Sequence, residues 1–198
     1  MTDATNVVVA IGGAVYVGTD VASPPTDAST PLGEGWVDVG YLSEDAVKEK
    51  VNVSTNDITA WQNADIVRKV VTSFGVEYSF TMIETNESTV ELYYGKALDA
   101  TKTEHKIGGG GFGTQQFVID AIDPSGQTVR RYIPSGEVTE RGEVSLSGSD
   151  ALGYETTIAC YPSEALDGDT VHVFYGTAIG TPAASGGRAF QREQTPTS

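Results

Sequence analysis

The residues that could do chemistry are few and scattered. Gly108-Gly109-Gly110-Gly111-Phe112-Gly113 formally fits G-x-G-x-x-G, the turn that cradles a dinucleotide pyrophosphate. That chemistry needs a strand before the motif and a helix after it. Thr114-Gln115-Gln116-Phe117-Val118-Ile119 follows instead, which is strand-like, and no Lys-Ser or Lys-Thr stands ready for a phosphate loop. His105 and His172 stand alone, without Cys, His or carboxylate neighbours at metal-ligand spacing. Asp167-Gly168-Asp169 lacks the further oxygen ligands of a calcium loop and reads as a turn. Cys160, beside Tyr161, fits a small buried hydrophobe. No G-x-S-x-G elbow occurs. Carboxylate pairs such as Glu84/Glu87 and Glu44/Asp45 are what chance supplies in so acidic a chain. The sequence thus offers no catalytic residue, no metal-ligand set and no cofactor motif. It points to a building block or a binding module, not an enzyme.

Size and charge narrow the classes further. The 198 residues fit one domain with ends to spare, long enough to bury a core without disulfides. The single cysteine excludes an intrachain disulfide and suits a reducing compartment. A net charge of −15 opposes binding to nucleic acid or to an anionic membrane, since phosphate contacts need clustered Lys and Arg. Solubility alone also accounts for such an excess. The start, Met-Thr-Asp-Ala-Thr-Asn, lacks the basic region of a secretion signal. The longest nearly apolar run, residues 7–18, is too short for a membrane helix.

The elements that must position these residues are almost all strands. Residues 7–18 read as an opening strand, with Val15 and Val17 alternating with Tyr16. Residues 36–42 place Val37, Val39 and Tyr41 on one face. In residues 47–53, Val47, Val51 and Val53 oppose Lys48, Lys50 and Asn52, as in a strand exposed to water or polar neighbours. In residues 76–83, Val76, Tyr78, Phe80 and Met82 share a face, and Glu77, Ser79 and Thr81 the other. One helix follows. Ser88-Thr89-Val90-Glu91 fits a capping box, Asn86 is a rival N-cap, and Gly95 is placed to end the helix. Val90, Tyr93, Tyr94 and Ala97 supply its apolar stripe. Residues 115–123 and 128–133 flank Asp123-Pro124-Ser125-Gly126 as a hairpin. Residues 136–147 set Val138, Val144 and Leu146 against Glu137, Thr139, Arg141, Glu143 and Ser145. Residues 154–161 and 170–176 are further strands. Residues 19–34, 54–72 and 99–114 read as long loops. Trp61, in the polar stretch 54–65, is either a partner anchor or a cover for a core edge.

Several blocks in order resemble a known family. Gly35-Trp36-Val37-Asp38-Val39-Gly40-Tyr41-Leu42-Ser43-Glu44-Asp45, Ile58-Thr59-Ala60-Trp61-Gln62, Phe80-Thr81-Met82-Ile83-Glu84-Thr85-Asn86 and Val90-Glu91-Leu92-Tyr93-Tyr94-Gly95 are similar to major tail (tail tube) proteins of long non-contractile-tailed bacteriophages, especially those of actinobacterial hosts. The resemblance runs from about residue 13 to 176. It implies a mainly β fold, a β-sandwich or partial barrel with one flanking helix. It further implies hexameric rings whose inner strands join into one barrel, stacked into a hollow tube through which DNA passes without specific binding. The implied organisation is an N-terminal arm (1–12), a tube domain (13–178) and a flexible C-terminal tail (179–198), with no appended immunoglobulin-like domain. The implied partners are other copies of the chain, tape measure protein, and tail terminator and distal tail proteins, with no membrane. The implied location is the virion tail, and the host cytoplasm during assembly. By this analogy Ile58, Trp61, Gln62 and Ile66 are candidates for contact with a neighbouring ring or subunit. Glu44, Asp45, Lys48, Glu137, Arg141 and Glu143 are candidates to face the lumen. Which strand faces point inward stays open at this stage. The competing class is a virion or surface β-sandwich that binds carbohydrate or protein.

Overall fold

In chain order the elements are β1 (Gly12–Gly18), β2 (Trp36–Asp38), β3 (Lys48–Thr59), β4 (Ile66–Met82), α1 (Glu87–Tyr94), β5 (Gln115–Ile122), β6 (Thr128–Arg141), β7 (Tyr154–Cys160) and β8 (His172–Tyr175). A short 3-10 turn, Glu164–Leu166, precedes β8. The structure, a computed structural model, describes residues 8–61, 63, 65–109, 111, 113–146 and 151–176. The strands form one antiparallel sheet in the order β2-β1-β5-β6-β7-β4-β3, with β8 beside β6. Among the described residues the fold is mainly β with a single α-helix, as the alternation of the sequence predicts.

β6 makes the sheet turn. Its first half pairs with β5 and β8, and its second half pairs with β7. At the changeover sits Gly136, where a Cβ would lie 2.7 Å from the Phe117 ring and 2.9 Å from Ile158, so only glycine lets the strand pass. The two halves then face each other. Val15, Phe117 and Ile119 from one half share a single core with Tyr78, Phe80, Met82 and Ile158 from the other. Backbone bonds at Tyr41–Ser43 stitch the segment after β2 to the end of β4: Ser43 N–H donates to the Thr81 carbonyl and Ile83 N–H to the Tyr41 carbonyl, each at 2.9 Å. The open sheet is thereby curled into a partial barrel.

α1 packs against β6 and β7 and puts Leu92 and Tyr93 into the core. Asn86, not Ser88, is its N-cap, accepting from the Thr89 N–H at 2.8 Å. Ser88 bonds instead to the Asp38 carbonyl at 3.1 Å. Of the expected stripe, Tyr93 is buried and Val90 and Tyr94 are half-buried, Thr89 and Leu92 complete the buried face, and Ala97 lies beyond the helix. Gly95 ends it in the left-handed region at φ 66°. On the opposite side of the sheet, the 19–34 loop lies over β5 and β6. Arg130 donates to the carbonyls of Asp27 and Thr30 at 3.0 and 2.7 Å, and Trp36 Nε1 to that of Ser23 at 3.0 Å.

Three expectations need correction. The 54–72 segment is not a loop but most of a long hairpin: β3 and β4 pair from Lys48↔Ser79 out to Thr59↔Ile66. Register shifts between Ser54 and Thr55 and between Ile58 and Thr59 break its alternation, which hides the strands in the sequence. The face expected over 36–42 also fails. Val39 is buried, but Tyr41 is 76 % exposed, because an Asx turn at Asp38, closed by the Gly40 N–H at 2.8 Å, ends β2 early. Finally, β6 stops at Arg141, and Leu146 is exposed rather than sharing a core face with Val138. The proposed 179–198 tail lies outside the described residues.

Candidate assembly surface

The second half of β6 with β7, β4 and β3 makes a four-strand layer with two unlike faces. Its inner face carries Val138, Ile158, Tyr78 and their neighbours. Strand alternation puts the intervening residues on the outside, where they line up in rows across the strands. One row runs Lys50, Glu77, Ala159, Glu137, and the next Lys48, Ser79, Thr157, Glu140. Glu155, opposite Thr81, continues the same face. Four carboxylates therefore stand against two ammonium groups. Lys50 reaches Glu77 at 3.5 Å, and Glu137 accepts from the Tyr161 hydroxyl at 3.1 Å.

The layer also ends in open edges. β3 pairs only with β4, so its whole outer edge has no strand partner among the described residues. Likewise, residues 137–141 of β6 pair with β7 on one side and with no described strand on the other. The outer part of the β3–β4 hairpin projects past the core. Val53, Ile58, Ile66, Val67, Val71 and Phe74 are all exposed there, and Trp61 at its turn is 98 % exposed. Trp61 is thus not a cover for the core. So large an apolar surface on one arm is more than a subunit that stays alone usually shows.

The candidate residues fall into separate places. Ile58, Trp61 and Ile66 sit together on the projecting hairpin, whereas Gln62 lies outside the described residues. Lys48 and Glu137 share the polar outer face. Arg141 does not: a register shift between Val138 and Glu140 turns it toward α1, where Nε donates to the Tyr93 carbonyl, and Glu140 takes its expected place. Glu44 and Asp45 belong to the segment between β2 and β3, with Asp45 3.6 Å from Lys48. Glu143 follows the end of β6. Lys50 shares this face with Lys48, as the alternation of 47–53 has it, whereas sequence reasoning missed Glu77, Glu140 and Glu155 as its members. The alternation placed Glu77 opposite the core, but the row it joins requires knowing which strands are neighbours.

Glu49 accepts from the Tyr78 hydroxyl at 2.9 Å and from Arg131 Nε at 2.7 Å. Burial pushes the Tyr78 phenol above its ordinary range, and the bond to Glu49 pushes it the same way. Burial also drives the Cys160 thiol up to about 12, so it is a packing group rather than a nucleophile. Among the described residues, no three His, Cys, Asp or Glu side chains converge to hold a metal ion.

Open edges, a two-faced layer and a bare apolar arm describe a structural subunit. The sequence comparison agrees: the family described as phage tail tube protein matches residues 1–175. The chain belongs to that family and is a structural tail protein. A comparison with curated proteins gave no match. Among solved structures, it is similar to a chain of the sheath–tube complex of an extracellular contractile injection system in the extended state, at 9 % identity and a TM-score of 0.47, over 88 % of this chain and 99 % of that one. It is also similar to a chain of the anti-feeding prophage tube-terminating cap, at 11 % identity and 0.44, over 79 % and 96 %. A third likeness is to the tail of an empty GTA particle, at 10 % and 0.40, over 80 % and 93 %.

Proposed function

We propose that the protein builds a hollow tail tube from hexameric rings, and that phage DNA leaves through it. The observation that carries this reading is the four-strand layer with an open edge on each side. When the β3 edge of one copy pairs with residues 137–141 of β6 in the next, the layers join into one closed barrel and leave no open edge in the layer. The core face then packs outward under α1 and the other half of the sheet. The polar face, with Glu77, Glu137, Glu140 and Glu155, lines the lumen. Carboxylates there repel a passing phosphate backbone over a Debye length of about 8 Å at physiological salt, which prevents sticking without gripping the DNA. The projecting hairpin, with Ile58, Trp61 and Ile66, makes the contact between rings. By the family resemblance, the tube surrounds a tape measure protein and meets terminator and distal tail proteins at its ends. Assembly takes place in the host cytoplasm.

Electron microscopy of the purified chain, alone and with the tail initiator complex, tests this. The expected result is hollow tubes with six-fold rings and a strand register joining β3 to β6. Compact single copies under both conditions, or rings whose barrel excludes β3, would overturn it.

A further inference from the structure

The two ends of the molecule differ. β3 runs twelve residues from Lys48 to Thr59, roughly 35 Å at about 3.3 Å per residue. At its far end is the turn carrying the bare Trp61. At its near end a groove of about 840 Å³ opens between the start of β1 and the 40–47 segment. Ile11, Ala14, Leu42, Val47 and Ile119 give it an apolar lining, and Glu44 and Glu84 add carboxylates. Its one lining cation, Arg131, is already held by Glu49 at 2.7 Å. β2 pairs only with Tyr16–Gly18, so the Gly12–Ala14 edge away from β5 has no strand partner among the described residues.

The hairpin complements this groove. It is apolar at its tip, and it departs from the acidity of the chain. Lys48, Lys50, Arg68 and Lys69 balance Glu49, Asp57, Asp65 and Glu77, in a protein whose net charge is −15. Lys69 is neutralised by Asp57 at 2.8 Å, and Arg68 makes no ion pair among the described residues. Tip and groove lie at opposite ends of the same strand pair, so they cannot meet within one copy. Joined between copies, they form a head-to-tail contact that repeats without closing, as a stack of rings requires.

The geometry points to the groove at residues 11–14 and 40–47 as the socket for the Trp61 hairpin tip of a copy in the next ring. This rests on the stacked-ring reading above and adds the receiving site, its apolar floor and its acidic rim. Arg68 of the incoming hairpin meets that rim.

Photo-cross-linking tests it. Tyr41, in the groove lining and 76 % exposed, is replaced by p-benzoylphenylalanine, and tails assembled from mixed heavy- and light-nitrogen chains are irradiated. The expected product joins this position to residues 59–68 of a different copy. Trp61→Ala is expected to lower that yield about tenfold in rings that still form, and Trp61→Phe to keep most of it. Products that join to residues 1–7 of the same copy, to another protein, or to a different part of a neighbouring copy would overturn the socket while leaving the tube standing. An unchanged yield with Trp61→Ala would also overturn it. Particles with no stacked tube would remove the ring reading itself, and the socket with it.

Discussion

Arg130 is nearly out of water, and every bond it makes is to a charge or a carbonyl. Nε and Nη2 grip the two Asp120 oxygens at 2.8 Å each, and Nη1 holds the loop carbonyls of Asp27 and Thr30. A fork of this kind fixes the 19–34 loop to the sheet with one side chain. Asp120→Ala leaves the guanidinium buried and uncompensated, so about 3–5 kcal/mol of stability should be lost in denaturant unfolding. Replacing both, as Asp120→Leu with Arg130→Met, should recover most of that while freeing the loop. Asp27 supplies the other half of the anchorage. Bonds from Thr30 and then Ser29 hold its carboxyl well below the usual carboxylate range. A carboxyl depressed in the folded state stabilises fully above its unfolded pKa and loses that contribution as pH falls through the folded value. With Trp61→Phe as background, the emission of Trp36, whose indole bonds the Ser23 carbonyl, should therefore stay constant from neutral pH to about 4 and red-shift only below. Asp27→Ala should show the shift already at neutral pH. None of this was legible in the sequence, because Arg130 and Asp27 are a hundred residues apart and nothing local couples them.

The elements divide by whether their signals are local. The alternation of Val76, Tyr78, Phe80 and Met82, the Asp123–Gly126 turn and the glycine after Tyr94 each carry their cause within a few residues, and each is found as read. The inner ends of the β3–β4 hairpin, 47–53 and 76–83, read as strands, but its outer part was hidden because bulges reverse the side-chain parity twice, and a period of two is all a sequence offers for a strand. The polar face was half legible: Lys48 and Glu137 alternate correctly, but the shift before Glu140 exchanges it with Arg141. Two tests belong at this scale. Gly95→Ala puts a Cβ into left-handed backbone and should destabilise the fold by about 1–2 kcal/mol, while Gly95→Asn should lose less. The outer hairpin has no core beneath it, and a lone two-stranded ribbon is marginal in water. Hydrogen exchange of the unassembled chain should therefore be fast over residues 55–70 and slow over 76–82. Assembly should protect 55–70 if neighbours complete it, and unchanged exchange there would deny the hairpin a role in the tube.

The whole molecule combines a half covered by the 19–34 loop, a polar layer with open edges, and ends that differ. Its charge is distributed to match. The paired Asp120–Arg130 charges are buried under the 19–34 loop, while Glu77, Glu137, Glu140 and Glu155 remain on the layer that other copies would extend. A ring multiplies any imbalance on that layer around the bore, so its sign matters to a polyanion moving through. Glu137→Lys with Glu140→Lys reverses two of the four carboxylates. The fold should tolerate this, since Glu137 gives up only a bond to the exposed Tyr161, and surface charge contacts contribute about 0–1 kcal/mol. Tubes should still form. DNA ejection from such particles should slow, because lysines on the wall bind phosphates, and the deficit should shrink as salt rises and screens those contacts. Glu104→Lys with Glu164→Lys makes the same change in net charge away from the layer, at two exposed positions, and should leave ejection at its normal rate. Equal slowing by both pairs would make the effect one of total charge. No slowing by the first pair, in intact tubes, would mean that the polar face does not line the channel.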